Sequence, residues 1–396
     1  MRGQKGPGVF GDNRELPIHR WYPFVEGFSA DMVTSLIGDS QPEVVFDPFG
    51  GCGTTALAAA CVGSRSAFTE INPYLAWLAD VKVNAVRATA GGTAPVSLPQ
   101  IANRLDSGTL PSPQVNLPIV TIDANRQFFP DGVALQIAQV VALLKSELDG
   151  PVLELGRAAL AICLVPASNM IRRTDLRRRI PSDPGAKPLL PLVSAALRMI
   201  AEDVGRAGDL VVAGTERVGA DIRSLAVESA YDLMITSPPY LNGTNYFRNT
   251  KLELIALEFI KDESDLAALR STAITAGINN VSKRRAAPTE IAEVEEPAQK
   301  LDMVAYDKRI PQLVRLYFSD MLGALSALRR AAKHTCSLYL DIGDSRFAGI
   351  SVPTPDILVS IARTVGWENT ETRLLRTRRS YDGSPLSQVL HRFDAA

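Results

Sequence analysis

The chain has 396 residues, of which 46% are hydrophobic and 21% charged, and its formal net charge is −1. Such a length and balance allow a full core and two or three average domains, and exclude disordered, fibrous and globally polycationic classes. No apolar run reaches membrane-spanning length, and the opening MRGQKGPGVFGDNREL lacks the apolar stretch of a signal peptide.

In chain order, residues 43–86 read as a compact β-α-β unit. EVVFD is a strand of β-branched and aromatic residues, FGGCG a turn, TTALAAACVG a small-residue helix, and SAFTEI a second strand. The stretch 88–118 is rich in Pro, Gly and Ser and reads as linker. Helical periodicity follows in VALQIAQVVALLKSEL, LELGRAALAICLV and LVSAALRMIAEDV. Residues 88–208 are therefore expected to form a mainly helical insertion between two halves of one domain, 1–87 and 209–396. The α/β texture returns at DLVVAG and continues through YDLMI. FSDMLGALSALRRAA and DILVSIARTVG predict helices, SLYLDIG a strand, and TRLLRTRR with QVLHRF a closing antiparallel pair. Residues 261–310 read as an irregular, charged interruption. Alternating strands and helices predict an α/β fold, a mostly parallel sheet with an antiparallel edge strand.

Cys52, Cys61, Cys163 and Cys336 form no CxxC pair, and His19, His334 and His391 are far apart in sequence. Neither a disulfide framework nor a metal site is expected, and a reducing cytoplasm is the natural home. Cys52 reads as a small packing residue, Cys61 as core, and His19 as a packing or backbone-bonding residue.

Two stretches carry chemistry. In FDPFGGCGTTA (46–56), Gly51-Cys52-Gly53-Thr54-Thr55-Ala56 satisfies the dinucleotide pattern G-x-G-x-x-A between a strand and a helix. Alone, such glycines can simply round a tight corner. Glu70 ends the next strand, 23 residues after Asp47, where a carboxylate accepts from ribose hydroxyls. A pyrophosphate is served by backbone amides at a helix N-terminus. Here Asp47, Pro48 and Phe49 place a carboxylate and a ring ahead of the glycines. Those suit a ligand with an ammonium, a sulfonium and one carboxylate, the last seated at the amides of Thr54 and Thr55. S-adenosylmethionine has all three. The second stretch is ITSPPY (235–240). Its paired prolines fix φ and give up both donors, leaving carbonyls without ladder partners. Ser237 and Tyr240 add a hydroxyl and a flat ring, a set fit to hold something planar that carries hydrogen-bond donors.

Together, DPFGGCGTT and TSPPY resemble the DNA amino-methyltransferases, which methylate the exocyclic nitrogen of cytosine (N4) or adenine (N6). YPFVEGFSADMVTSLI (22–37), GADIRSL (219–225), 241–260 and 317–347 resemble further segments of that family, so the likeness covers about 20–86 and 210–396. It implies a Rossmann-like class I methyltransferase sheet, S-adenosylmethionine as cofactor, and double-stranded DNA from which the target base is flipped. By the same likeness, Phe28 and Ser29 close over the cofactor's methionine end and Asp221 meets its adenine. Asp47, Pro48, Phe49, Gly51, Gly53, Thr54, Thr55, Glu70, Ile71, Asn72, Ile222 and Thr236 complete the cofactor site. Ser237, Pro238, Pro239 and Tyr240 would be catalytic, with Ser237 and the Pro238 carbonyl accepting from the amine and Tyr240 stacking on the base. Serine at the first position leans toward N4-cytosine, with N6-adenine the alternative. The absence of any Pro-Cys dipeptide argues against a covalent carbon-5 route.

The motif order departs from many SPPY enzymes, which carry the catalytic motif first. DNA contacts are expected from Asn245 and Arg248, from Arg172, Arg173, Arg177, Arg178 and Arg179 in the insertion, and from Lys283, Arg284 and Arg285. A restriction endonuclease or phage-defence partner, and a monomeric or homodimeric state, fit the resemblance. Competing readings are an RNA base amino-methyltransferase, a non-catalytic DNA-binding subunit of the same fold, and a nicotinamide-dependent oxidoreductase; the last leaves SPPY without a task.

Overall fold

The computed structural model describes residues 11–24, 27–113, 116–173, 175–207, 210–241, 243, 245–281, 287–380 and 382–396. A seven-stranded sheet is the frame. Its strands are β1 (Val44–Asp47), β2 (Arg65–Thr69), β3 (Thr215–Gly219), β4 (Tyr231–Thr236), β5 (Ala332–Gly343), β6 (Trp367–Arg379) and β7 (Pro385–Ala395), in the order β6-β7-β5-β4-β1-β2-β3. Pairing is parallel from β5 through β3, and β7 runs antiparallel to both β5 and β6. This is a Rossmann-like, mostly parallel sheet, as the resemblance implies, with the antiparallel strand second from the edge rather than at it. The returning α/β texture begins at β3, just after the 209–214 stretch read for it.

β1 through β3 build outward in one direction, and β4 then starts again on the other side of β1. The chain therefore changes direction between β1 and β4, and a crevice opens at the carboxyl ends of those two strands. Helices cover both faces, among them α1 (Ala30–Ser40), α2 (Thr54–Cys61) and α3 (Pro73–Asp80).

The inserted segment is helical, with α4 (Ala94–Asp106), α5 (Pro118–Arg126), α6 (Val133–Glu147), α7 (Gly150–Leu164) and α8 (Leu189–Arg206). The linker expected over 88–118 is wrong where α4 lies. Pro95 sits in the first turn, where its missing N–H costs nothing. Leu98, Ile101, Ala102 and Leu105 make a buried stripe in the same core as Val193, Leu197 and Ile200 of α8. That core also holds Leu57 and Leu75 of α2 and α3, so the insertion is not a separately cored unit. Asp203 of α8, fully buried, accepts from Ile18 N (3.0 Å), Trp21 Nε1 (2.8 Å) and the Arg20 guanidinium, pinning the N-terminal segment to it.

Residues 261–310, expected to be irregular, contain two helices after α9 (Lys251–Ala256): α10 (Glu263–Thr272) and α11 (Ala292–Val304). Asp262 caps α10 by accepting from Ser264 N and Asp265 N. α11 buries Val294, Pro297, Ala298 and Leu301, an i, i+3, i+4, i+7 stripe, against its surroundings, including α12 (Arg309–Ala331); Pro297 and the acidic residues between them mask that periodicity in the sequence. α13 (Thr354–Thr364) precedes β6. Among the described residues, no helix is long and apolar enough to cross a membrane, and no cluster of His, Cys, Asp and Glu could hold a metal ion.

Candidate active site

The glycine turn occupies the crevice at the end of β1. Gly51 and Gly53 have φ of 51° and 82°, and a Cβ on Gly53 would meet Ala79 Cα at 2.8 Å, so only glycine fits there. Gly51 N donates to Glu70 Oε2 at 2.8 Å, and Asn72 N donates to Glu70 Oε1 at 2.8 Å. Asn72 in turn caps α3 and donates to Thr250 Oγ1 at 2.8 Å, tying this edge to the chain beyond the SPPY loop. Ser29 caps α1 through Met32 N.

Asp47 is buried at the end of β1. Its Oδ1 accepts from Phe49 N at 3.0 Å and from Thr236 Oγ1 at 2.7 Å. Thr236 ends β4, so this bond fastens the glycine turn directly to the strand that launches SPPY. Burial raises Asp47 from 3.8 to about 6 and Glu70 from 4.5 to about 7, against the hydrogen bonds that hold them. Both carboxylates thus lie in a site that favours a cationic or hydroxyl-bearing partner.

Beyond β4, Ser237 and Pro239 face the cleft while Pro238 and Tyr240 are buried. Tyr240 Oη donates to Asp341 Oδ1 at 2.8 Å. Gln388 Nε2 donates to both oxygens of Asp341, at 2.7 and 3.0 Å, and Arg376 Nε donates to Gln388 Oε1 at 2.6 Å. Burial lifts Asp341 to about 6. The stacking role expected of Tyr240 is therefore corrected. The residue is 6% exposed, the Arg378 guanidinium lies 5.7 Å from its ring centroid, and it does not line the cleft.

One cleft of about 1140 Å³, its open mouth included, joins the two loops, room for a nucleoside and a second planar ring. It is lined by Phe28, Asp47, Pro48, Phe49, Gly51, Thr54, Glu70, Ile71, Asn72, Asp221, Ile222, Ser237, Pro239 and Asn245 among the residues singled out in the sequence. Ser29, Gly53, Thr55, Thr236, Pro238 and Tyr240 stand behind that lining. Asp221 is held by the Arg223 guanidinium, which also pairs with Asp320. Sequence reasoning missed Phe24, Tyr246 and the 273–277 segment, all of which line the cleft. Phe24 and Tyr246 stack with centroids 5.4 Å apart and planes 11° from parallel. Their positions in YPF and in NYF, beside the two motifs, were the only signal available.

The basic residues expected at DNA divide. Arg172 is a correction: it is 11% exposed and forms an ion pair with the buried Glu253. Its Nε and Nη2 also donate to the Asn249 carbonyl at 3.0 and 2.6 Å, and its guanidinium lies 5.0 Å from the Tyr22 ring centroid. Such a group is not free for a phosphate. Arg173 and Arg177 pair with Asp183, Arg178 donates to the carbonyls of Arg126 and Gln127, and Arg179 to those of Ser168 and Pro184. Arg248 pairs with Asp175 at 2.8 Å, both partners exposed, and Asn245 Oδ1 accepts from Arg248 N. Lys283, Arg284 and Arg285 lie outside the described residues.

No protein-family profile matches the chain. Among solved structures, the rRNA methyltransferase AviRa of Streptomyces viridochromogenes aligns with a TM-score of 0.30 and 10% identity, over 94% of this chain and 87% of that one. Among curated proteins, the type II methyltransferase M.AvaI of Nostoc sp. is 24% identical over 93% of this chain and 83% of its own length. The type II methyltransferase M.BsoBI of Geobacillus stearothermophilus is 24% identical over 95% of this chain and 84% of its own. Over nearly its whole length, then, the chain is similar to type II methyltransferases.

Proposed function

We propose that this chain is a DNA methyltransferase that uses S-adenosylmethionine to methylate the exocyclic amine of a flipped base, N4 of cytosine in preference to N6 of adenine. The observation that carries the reading is the single cleft onto which both the glycine turn and Ser237 open. The residues present fit the cofactor. Amides at the start of α2 have no acceptor among the described residues and suit a carboxylate. Asp47 suits the cationic end, and Glu70 the ribose. When bound, the cofactor would supply an electrophilic methyl group.

Tyr240 has one hydroxyl hydrogen, and it is committed to Asp341. Ser237 faces the cleft, where its hydroxyl lone pairs can accept from the substrate amine. With the Pro238 carbonyl as second acceptor, the amine's hydrogens are drawn away from the ring plane and its lone pair is localised toward the methyl donor. Tyr246, stacked on Phe24 at the cleft wall, offers the flat surface that Tyr240 does not.

Two expectations follow from these assignments. Labelled S-adenosylmethionine should deliver its methyl to duplex DNA and not to RNA; labelled RNA with unlabelled DNA would overturn the reading. Cofactor affinity should also depend on pH. Asp47 and Glu70 start near 6 and 7, and a cationic ligand favours their ionised forms, so binding releases protons. Affinity is expected to rise about tenfold from pH 5 to 7.5, with proton release at pH 6.5 seen by calorimetry in buffers of different ionisation enthalpy. A flat profile without proton release would remove both carboxylates from the cofactor site.

A further inference from the structure

The five residues after α3, Val81–Ala85, are wound as a π-helix, a one-turn widening that recurs at functional sites. It carries Lys82, 1% exposed, whose ammonium donates to the Cys52 carbonyl at 3.1 Å. Cys52 is the one hydrogen-bond partner it has among the described residues, for three donors, and no carboxylate there pairs with it. Burial accordingly drags its pKa below the ordinary lysine range. A buried cation so poorly matched is expensive unless an anion comes near it.

Gly53 is the N-cap of α2, and its carbonyl accepts the first intrahelical bond, from Leu57 N at 3.0 Å. The amides of Thr54, Thr55 and Ala56 therefore have no intrahelical acceptor, neither they nor Cys52 N find another among the described residues, and Lys82 bonds the Cys52 carbonyl just ahead of them. Cys52, whose carbonyl Lys82 bonds, lines the cleft together with Thr54. His19, the other buried titratable group nearby, is held neutral by burial at about 3 and brings no competing charge.

We propose that Lys82 is a positioning residue for the methyl donor's carboxylate, fixing the Cys52 carbonyl of the glycine turn and adding its charge to the field at the α2 N-terminus. The inference rests on the cofactor reading above. It explains why a lysine is kept inside an otherwise apolar core: the carboxylate in the cleft is the anion that the empty surroundings lack.

The test compares S-adenosylmethionine with its decarboxylated analogue, by calorimetry on the full chain and its variants. Wild type is expected to prefer the carboxylated ligand. Lys82→Met should reduce that preference about tenfold (~1.4 kcal/mol) while leaving affinity for the decarboxylated analogue within about twofold. If both ligands weaken together, or neither changes, the proposal is overturned, the first result marking Lys82 as a packing residue only. Should Lys82→Met fail to fold, Lys82→Gln, which keeps a donor but no charge, carries the same expectation and is judged by the same two results. Binding of neither ligand by wild type would instead bring down the cofactor reading, and this inference with it.

Discussion

Replacing Ser237 by alanine is expected to slow methyl transfer about 100- to 1000-fold while S-adenosylmethionine affinity stays within about twofold. In the proposed reaction the hydroxyl contributes one of two acceptors at the amine, where positive charge develops as the nitrogen attacks. Such an acceptor, fixed at the end of β4, strengthens its bond as the reaction proceeds, so its loss falls on the chemical step. In the proposed site, cofactor binding draws on Asp47, Glu70 and the α2 amides, which the substitution leaves in place. Single-turnover rates with saturating DNA separate the two effects. A variant with wild-type turnover would show that Ser237 merely closes the strand, and one with equally weakened cofactor binding would place it in the wrong half of the cleft.

Arg172→Ala is expected to destabilise the fold by about 3–5 kcal/mol, the cost of leaving Glu253 buried without its partner. The pair joins the hairpin Met170–Arg172 and Leu176–Arg178 of the insertion to α9, just beyond the catalytic loop. It also stacks on Tyr22 of the segment that reaches the cleft. Denaturant unfolding should therefore show a lowered midpoint, whereas the salt dependence of DNA binding by the folded variant should keep its slope. A phosphate-contacting arginine would behave oppositely, with stability unchanged and the salt slope reduced by about one. That second outcome would return Arg172 to the DNA-facing surface.

The contrast between Ser237 and Arg172 describes what a sequence makes legible. The glycine turn and the SPPY loop impose backbone requirements within a few residues, positive φ at Gly51 and Gly53 and donor-free prolines at 238 and 239, so they can be read directly. Their meeting in one cleft follows from strand order, since β1 and β4 flank the point where the chain reverses direction. Arg172 looked like a surface cluster because its partner Glu253 is 81 residues away and only the fold brings them together. Tyr240 was misassigned for a similar reason: Asp341 claims its hydroxyl from a strand 101 residues on. Helix α4 was hidden by Pro95 and Pro99 in a small-residue setting, although its apolar stripe is present and tertiary packing against α8 overrides the composition. The 273–277 wall carries no motif. It reaches the cleft because Thr275 N and Oγ1 donate to Asp320 at 2.8 and 2.7 Å, a bond across the fold.

The most direct measurement of the central claim is nucleoside analysis of DNA recovered from a methylation-free host that expresses the chain. The account predicts N4-methylcytosine, absent when Ser237→Ala is expressed instead. Recovery of unmodified DNA, or of carbon-5 methylcytosine, would contradict it.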